Sequence, residues 1–353
     1  MNMLSGRFFK EANEKAIFIL YLYLTDKLTP YEGETLKSIT EELETKLSEH
    51  EPGLWTDRDI LRLRILKNAI NQNSVLAHSQ ISDYTYSKSG LTACVFTKPS
   101  GDISVVFRGT GDGEWIDNGE GLSGVPEENT YITQDGTQII EKDYATDQQV
   151  EALNWFNGIA AKNRWNEQSN ITVSGHSKGG NKAQFITINS DLPNICYSFD
   201  GQGFSPEAIA QFKNQHRAKF ESRRQKIKSI SAANDYVNVL GEHLATKNNI
   251  YFLKSVSGFH YLESILDING NLLSQAAQGK LSKYIENVSK ELMLLPPALR
   301  QYATLGIMNI FQKYMGEGTP VNGDKVSIEK TIAGLGVTLG PLLSSIPYIK
   351  QKK

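Results

Sequence analysis

Asn170-Ile171-Thr172-Val173-Ser174-Gly175-His176-Ser177-Lys178-Gly179-Gly180 is the stretch whose reading decides how this chain folds. Its first five residues read as a buried strand, and Lys178 to Ile188 reads as a helix in which Gly180 and Ala183 allow close packing on that strand. A sharp strand-to-helix turn has no room for side chains on either side of its central residue, and Gly175 and Gly179 supply that room. The turn lifts the central hydroxyl out of the carboxyl edge of the sheet, which makes Ser177 a candidate nucleophile. Glycine and serine are common enough that the bare G-x-S-x-G pattern is weak. The strand before it and the helix after it give it weight.

Outward from that turn, apolar runs alternate with helical patterns. Strands are predicted at Ile195 to Phe199, Ile227 to Ser231 and Ile250 to Leu253, with a helix starting at Pro206. Upstream, Thr92 to Phe96 and Ile103 to Phe107 flank the turn-forming Lys98-Pro99-Ser100-Gly101-Asp102 and predict a hairpin. Thr146-Asp147-Gln148-Gln149 is a capping-box start for a helix with Val150, Leu153, Phe156 and Ile159 on its expected buried face. Such alternation predicts an α/β fold with a mainly parallel central sheet and helices on both faces.

Gly109 to Thr137 is glycine-rich and acidic without periodicity, and reads as a long loop. Within it, Gly111 to Glu128, carrying Trp115, Leu122 and Val125, reads as a lid over the site or as a surface loop packed by Trp115. Residues 8 to 72 read as helices at Phe8 to Leu24, Leu36 to Leu47 and Ile60 to Ile70, and residues 261 to 316 return to helix, including Ile285 to Leu295. Three parts follow: a helical N-terminal cap over 1–88, a core over 89–265, and a helical C-terminal extension over 266–353 ending in an apolar tail. Thr331 to Ile349 has no charged side chain, and Lys350, Lys352 and Lys353 follow it. Its glycines, prolines and serines favour a docked or interfacial tail, in contact with a membrane surface, over a spanning helix.

Bulk composition narrows the classes. A chain of 353 residues with 39% apolar content can bury a large core. A net charge of −2 gives no whole-chain field to hold a polyanion, so nucleic acid is not an expected partner. Cys94 and Cys196 both fall in predicted strands and read as buried structural thiols, with no disulfide scaffold and no metal site. Met1 to Lys10 lacks the pattern of a secretory signal. Cytoplasmic residence is the default expectation, with export by a route that reads no such signal as the alternative.

A serine hydroxyl is a poor nucleophile near neutral pH and needs an imidazole as base and a carboxylate to orient that imidazole. With the nucleophile on a strand-to-helix elbow, the acid and then the histidine come later in the chain, on loops beyond later strands. His50, His78 and His216 lie in helical or upstream segments, and His176, inside the elbow, is expected to point away from the base position. His260 follows the last predicted strand and is favoured as base, with His243 as the alternative. Asp235, past the strand ending near Ala232, is favoured as acid over Asp200, past the preceding strand. Oxyanion donors are expected from the backbone N–H of Lys178 and from Thr110, while Arg108 reads as a structural ion-pair partner in preference to a substrate clamp.

Phe107-Arg108-Gly109-Thr110, then Trp115 and Asp117, then Gly175-His176-Ser177-x-Gly179-Gly180, then Asn234-Asp235-x-Val237 together resemble the class 3 lipases and their bacterial lipase-like relatives. The resemblance covers about residues 90 to 265. It implies an α/β-hydrolase fold, a Ser177, Asp235 and His260 triad, an oxyanion hole at Thr110 and Lys178, and hydrolysis of acyl esters of lipids without a cofactor. Lysine stands at 178 where typical members carry leucine. It either places a cation at the catalytic mouth, favouring anionic or phospholipid substrates, or is solvated. Two other readings stand beside this one. The same triad can act on a thioester, peptide or acylated sugar, or the chain is an inactive hydrolase-fold module that binds a protein through its helical ends. Failure to react with a fluorophosphonate, together with a Ser177 hydroxyl more than ~4 Å from every imidazole nitrogen, would favour the inactive module.

Overall fold

The computed structural model describes residues 6–49, 54–110, 114–132, 138–256 and 260–315. Four helices come first: α1 (Gly6–Leu22), α2 (Leu36–Ser48), α3 (Asp57–Gln72) and the short α4 (Ser74–Ala77). A meander of β1 (Gln80–Tyr86), β2 (Thr92–Thr97) and β3 (Ile103–Phe107) follows, then α5 (Trp115–Ser123) and the ribbon β4 (Glu127–Ile132) with β5 (Gln138–Asp143). The chain then alternates through α6 (Asp147–Lys162), β6 (Ile171–His176), α7 (Lys178–Asn189), β7 (Ile195–Phe199), α8 (Pro206–His216), α9 (Ala218–Gln225), β8 (Ile227–Ala232) and β9 (Ile250–Leu253). It closes with the two-residue β10 (Gln275–Ala276), α10 (Lys280–Met293) and α11 (Pro297–Met315).

The main sheet has eight strands in the order β1-β2-β3-β6-β7-β8-β9-β10. From β3 to β9 neighbours run parallel, and the edges at β1-β2-β3 and β9-β10 are antiparallel. Strand side chains alternate between the faces with period two. On β2, Cys94 and Phe96 pack with α1 to α4, whereas Ala93 and Val95 pack with α6 and α7. On β7, Tyr197 and Phe199 take the first side and Cys196 the second. Helices therefore cover both faces, as the alternation predicts.

One face is packed by the N-terminal helices, joined by Leu262, Ile265 and Leu266 from the segment after β9. Phe18 of α1 stacks on Phe96 with ring centroids 4.3 Å apart, and Phe8 meets Tyr197 and Tyr251 at 5.7 and 5.2 Å. Burying each such ring contributes about 1.5–3 kcal/mol. Lys15, also facing the sheet, donates to the Ser104 hydroxyl at 2.6 Å, and burial pushes its ammonium down to about 7.

Three expectations are corrected. Gly109 to Thr137 is not a featureless loop: residues 115–123 are a helix, and residues 127–132 pair with 138–143. Most of α5 is buried under α11, with Gly119 against Leu305 and Met308, so it is a packed element and not a surface lid. The buried face of α6 is Gln148, Gln149, Ala152, Phe156, Ile159 and Ala160, while Val150 is exposed. Two neutral polar residues displace Val150 because they hydrogen-bond inward. β1 and β10 had no place in the sequence reading. The apolar run 331–349 lies outside the described residues, among which no helix is long and apolar enough to cross a membrane.

Candidate active site

The elbow between β6 and α7 is as cramped as its glycines require. A Cβ on Gly175 would collide with the Gly179 carbonyl, and one on Gly179 with the carbonyls of Phe107 and Arg108. Ser177 is held at φ 58°, ψ −123°, a strained conformation for a non-glycine residue, and its N–H is anchored to the Phe199 carbonyl at 2.9 Å. Strand β6 is second-nearest neighbour to β8 in the sheet, which brings Ser177 near the loops beyond β8 and β9.

Those loops bring Asp235 and His260 to Ser177. His260 Nε2 lies 2.8 Å from Ser177 Oγ, and His260 Nδ1 lies 2.6 Å from Asp235 Oδ2. Asp235 Oδ1 is held by the N–H groups of Val237 and Asn238 at 2.9 and 2.6 Å, leaving the other oxygen for the imidazole. Ser177, His260 and Asp235, chosen from chain order, are thus brought into one relay.

The alternatives sit elsewhere. His243 lies near Glu286 and Lys290 of α10 and makes no hydrogen bond to Ser177. Asp200 accepts from the Ala232 N–H at 2.9 Å and faces His176 Nε2 at 3.6 Å, not His260. His176 does not point away from the site. Its ring stands 5.1 Å from that of His260, and its Nδ1 is 2.6 Å from the Tyr23 hydroxyl.

Tyr23, in the connector after α1, is a site residue that no motif signals. Its oxygen accepts from the Gly109 N–H at 3.1 Å, which leaves its proton for His176 Nδ1. A neutral His176 then carries its own proton on Nε2, facing Asp200. The N-terminal segment thereby pins the turn that precedes Thr110.

Thr110 lines the cavity over Ser177, and its hydroxyl accepts from the Asn118 amide at 3.0 Å, so its own proton is free to point into the site. Asn118 belongs to α5 and is itself held: its carbonyl accepts from Gln202 at 2.8 Å, and the Gln202 carbonyl accepts from Asn181 at 3.2 Å. Lys178 opens α7, where its N–H has no intrahelical partner and is available for an oxyanion.

The Lys178 side chain needs correction. It is fully buried and ion-paired with Asp117, neither at the catalytic mouth nor solvated. Asp117 also accepts from the Thr146 hydroxyl at 2.8 Å and the Gln148 N–H at 3.0 Å. Four residues further along α7, Lys182 pairs with Glu114, again with both side chains buried. Arg108 has no ion-pair partner among the described residues and lines the cavity instead.

The topology is that of an α/β-hydrolase: a nucleophile elbow at the centre of a mainly parallel sheet, with carboxylate and imidazole on the loops after β8 and β9. Residues 139–255 match a protein-family model described as Mbeg1-like, a span that includes Ser177 and Asp235 but neither Thr110 nor His260. A triacylglycerol lipase from Penicillium expansum, solved by crystallography, is similar at 13% identity over 58% of this chain and 83% of that one. The TM-score between the two is 0.27. No curated protein matches the chain.

Electrostatics follow from burial. Burial works against a charged His260, but the charge and hydrogen bond of Asp235 outweigh it and hold the imidazole above its ordinary value of 6.5. Burial, with the Asp235 charge beside it, pushes Asp200 up to about 6, and burial pushes His176 down to about 4. His176, Asp200 and His260 offer ligand atoms within 4.8 Å of one another, a spacing that suits a metal. Both ring nitrogens of His260 are already engaged by Ser177 and Asp235.

Proposed function

We propose that this chain is a serine hydrolase that cleaves acyl esters of lipids, phospholipids among them. The observation that carries the reading is the unbroken relay from Ser177 Oγ through His260 to Asp235, at 2.8 and 2.6 Å. A hydroxyl more than ~4 Å from every imidazole nitrogen would have favoured an inactive module, and Ser177 Oγ lies within hydrogen-bond reach of His260 instead.

In this reading Ser177 Oγ attacks the acyl carbonyl carbon while its proton passes to His260 Nε2. The resulting oxyanion is met by the Lys178 N–H and by Thr110, whose hydroxyl Asn118 orients. The C–O bond to the alcohol breaks, the imidazolium proton goes to that oxygen, and an acyl-serine remains. Water, deprotonated by the same imidazole, repeats the attack and releases the carboxylic acid and Ser177. Asp235 keeps His260 in the tautomer with Nδ1 protonated throughout. The cavity over Ser177, about 760 Å³, is of a size that takes a small lipid and is apolar at Trp115, Leu240 and Met308.

Ser177→Ala is expected to abolish short-chain ester hydrolysis and labelling by a fluorophosphonate while leaving the thermal transition in place. Hydrolysis surviving in that variant refutes the reading.

A further inference from the structure

The cavity that holds Ser177 is lined by four cationic side chains, Lys27, Arg58, Arg62 and Arg108. Three of them share three carboxylates. Lys27 pairs with Asp26 and Asp59 at 2.8 and 3.5 Å, Arg62 with Asp59 and Glu263 at 3.3 and 3.2 Å, and Arg58 with Glu263 at 2.8 Å. Arg58 also stacks on Tyr261 at 3.6 Å. Arg108 is the exception: among the described residues it has neither an ion pair nor a side-chain hydrogen bond.

Its placement is fixed from behind. The Arg108 N–H donates to the Thr92 carbonyl at 3.0 Å, and Thr110 stands two residues on. Its charge bears on the hydroxyls of Tyr23 and Tyr84, which line the same cavity. Arg108 is half-buried and lines the open cavity without a protein counter-charge, so its guanidinium is left to take an anion that arrives with a ligand. Lys178 cannot play this part, because Asp117 already neutralises it.

We infer that Arg108 is a specificity residue that receives an oxyanion, a phosphate above all, carried by the ester that Ser177 cleaves. The assignment rests on the ester-hydrolase reading and narrows its substrate class to anionic acyl esters such as monoacyl or diacyl phosphates of glycerol. Planar guanidinium suits a phosphate because two N–H groups can donate side by side to two oxygens. The same cavity offers Trp115, Leu240 and Met308 to an acyl chain, and these pack in a separate apolar cluster with α11. One cavity therefore presents a cation and an apolar wall to the two ends of an acidic lipid.

The test compares dioleoylglycerol with its 3-phosphate, dioleoyl phosphatidic acid, in micelles of one neutral detergent. The full chain is expected to prefer the phosphate by about ten-fold in kcat/KM, as one charge-assisted hydrogen-bonded pair would give. Arg108→Gln is expected to erase most of that ratio, and Arg108→Lys to keep part of it, since an ammonium retains charge but not the paired donors. No preference in the wild type, or a ratio unchanged in Arg108→Gln, overturns the inference. Erasure of the preference by an equal concentration of inorganic phosphate also overturns it, by showing a free-anion site. Equilibrium binding of hexadecyl phosphate to Ser177→Ala reads Arg108 without turnover, and binding unaffected by adding Arg108→Gln overturns it as well. A wild type that neither turns over ester nor reacts with a fluorophosphonate sinks the ester-hydrolase reading separately.

Discussion

His260 sets the pH at which this site works as proposed. The base must be neutral to accept the Ser177 proton, and Asp235 holds its pKa above the ordinary 6.5, so activity is lost as pH falls through a value above 6.5. In Asp235→Asn the charge that raises the pKa is gone. The acid limb of kcat/KM is expected to move to lower pH while kcat falls by about 10³–10⁴-fold, as when a triad carboxylate is removed elsewhere. A limb that stays in place contradicts the pairing. Tyr23→Phe removes the acceptor of the Gly109 N–H and the donor to His176 Nδ1. It is expected to lower kcat by roughly 3–10-fold with little change in KM, the worth of one or two ordinary hydrogen bonds. At this scale the relay was legible, because an elbow serine dictates the chain order of its partners. Tyr23 and Asn118 were not, since a tyrosine after an apolar helix and an asparagine in a glycine-rich run carry no pattern. Lys178 was misread because its burial depends on Asp117, a partner distant in sequence.

Two lysines one helical turn apart on α7 meet two carboxylates three apart on and just before α5, and this double pairing locks the oxyanion side of the site to the elbow helix. Removing one partner takes the opposite charge away from the other in a dry interior. Lys182→Met is expected to destabilise the fold by about 3–5 kcal/mol in chemical denaturation, and adding Glu114→Leu to recover most of it, since a well-packed apolar pair replaces a buried ion pair at little cost. Failure of the second change to rescue argues that Glu114 serves the site in another way. Elements with strong local signals were read correctly. The Thr146 and Gln149 capping box forms as predicted, and β7 and β9 have the expected bounds. α5 was missed because Gly119 and Gly121 hide its helical character. Its helix is stabilised by α11 lying across Gly119, by the start of α6 lying against Gly121 and by the side chain of Asp117, not by propensity.

The N-terminal helices supply one face of the core and, through Tyr23, one wall of the site. A fragment starting at residue 80 would expose Cys94, Phe96, Val106, Tyr197, Phe199 and Ile230 together. That fragment is expected to aggregate and to lose fluorophosphonate labelling, and a monomeric, labelled fragment in gel filtration would show instead that the core stands alone. Alternation of strand and helix made the central layers legible from sequence. It says nothing about which face a leading helical segment covers, since α1 carries apolar residues around much of its circumference. The contact of Phe8 with Tyr251 has a consequence for biosynthesis. At about 5–20 residues per second, α1 leaves the ribosome roughly 10–50 s before β9 exists to receive it. During that interval a sticky nascent helix must be shielded by holdase chaperones, so cells depleted of such factors should accumulate the chain as ribosome-proximal aggregates.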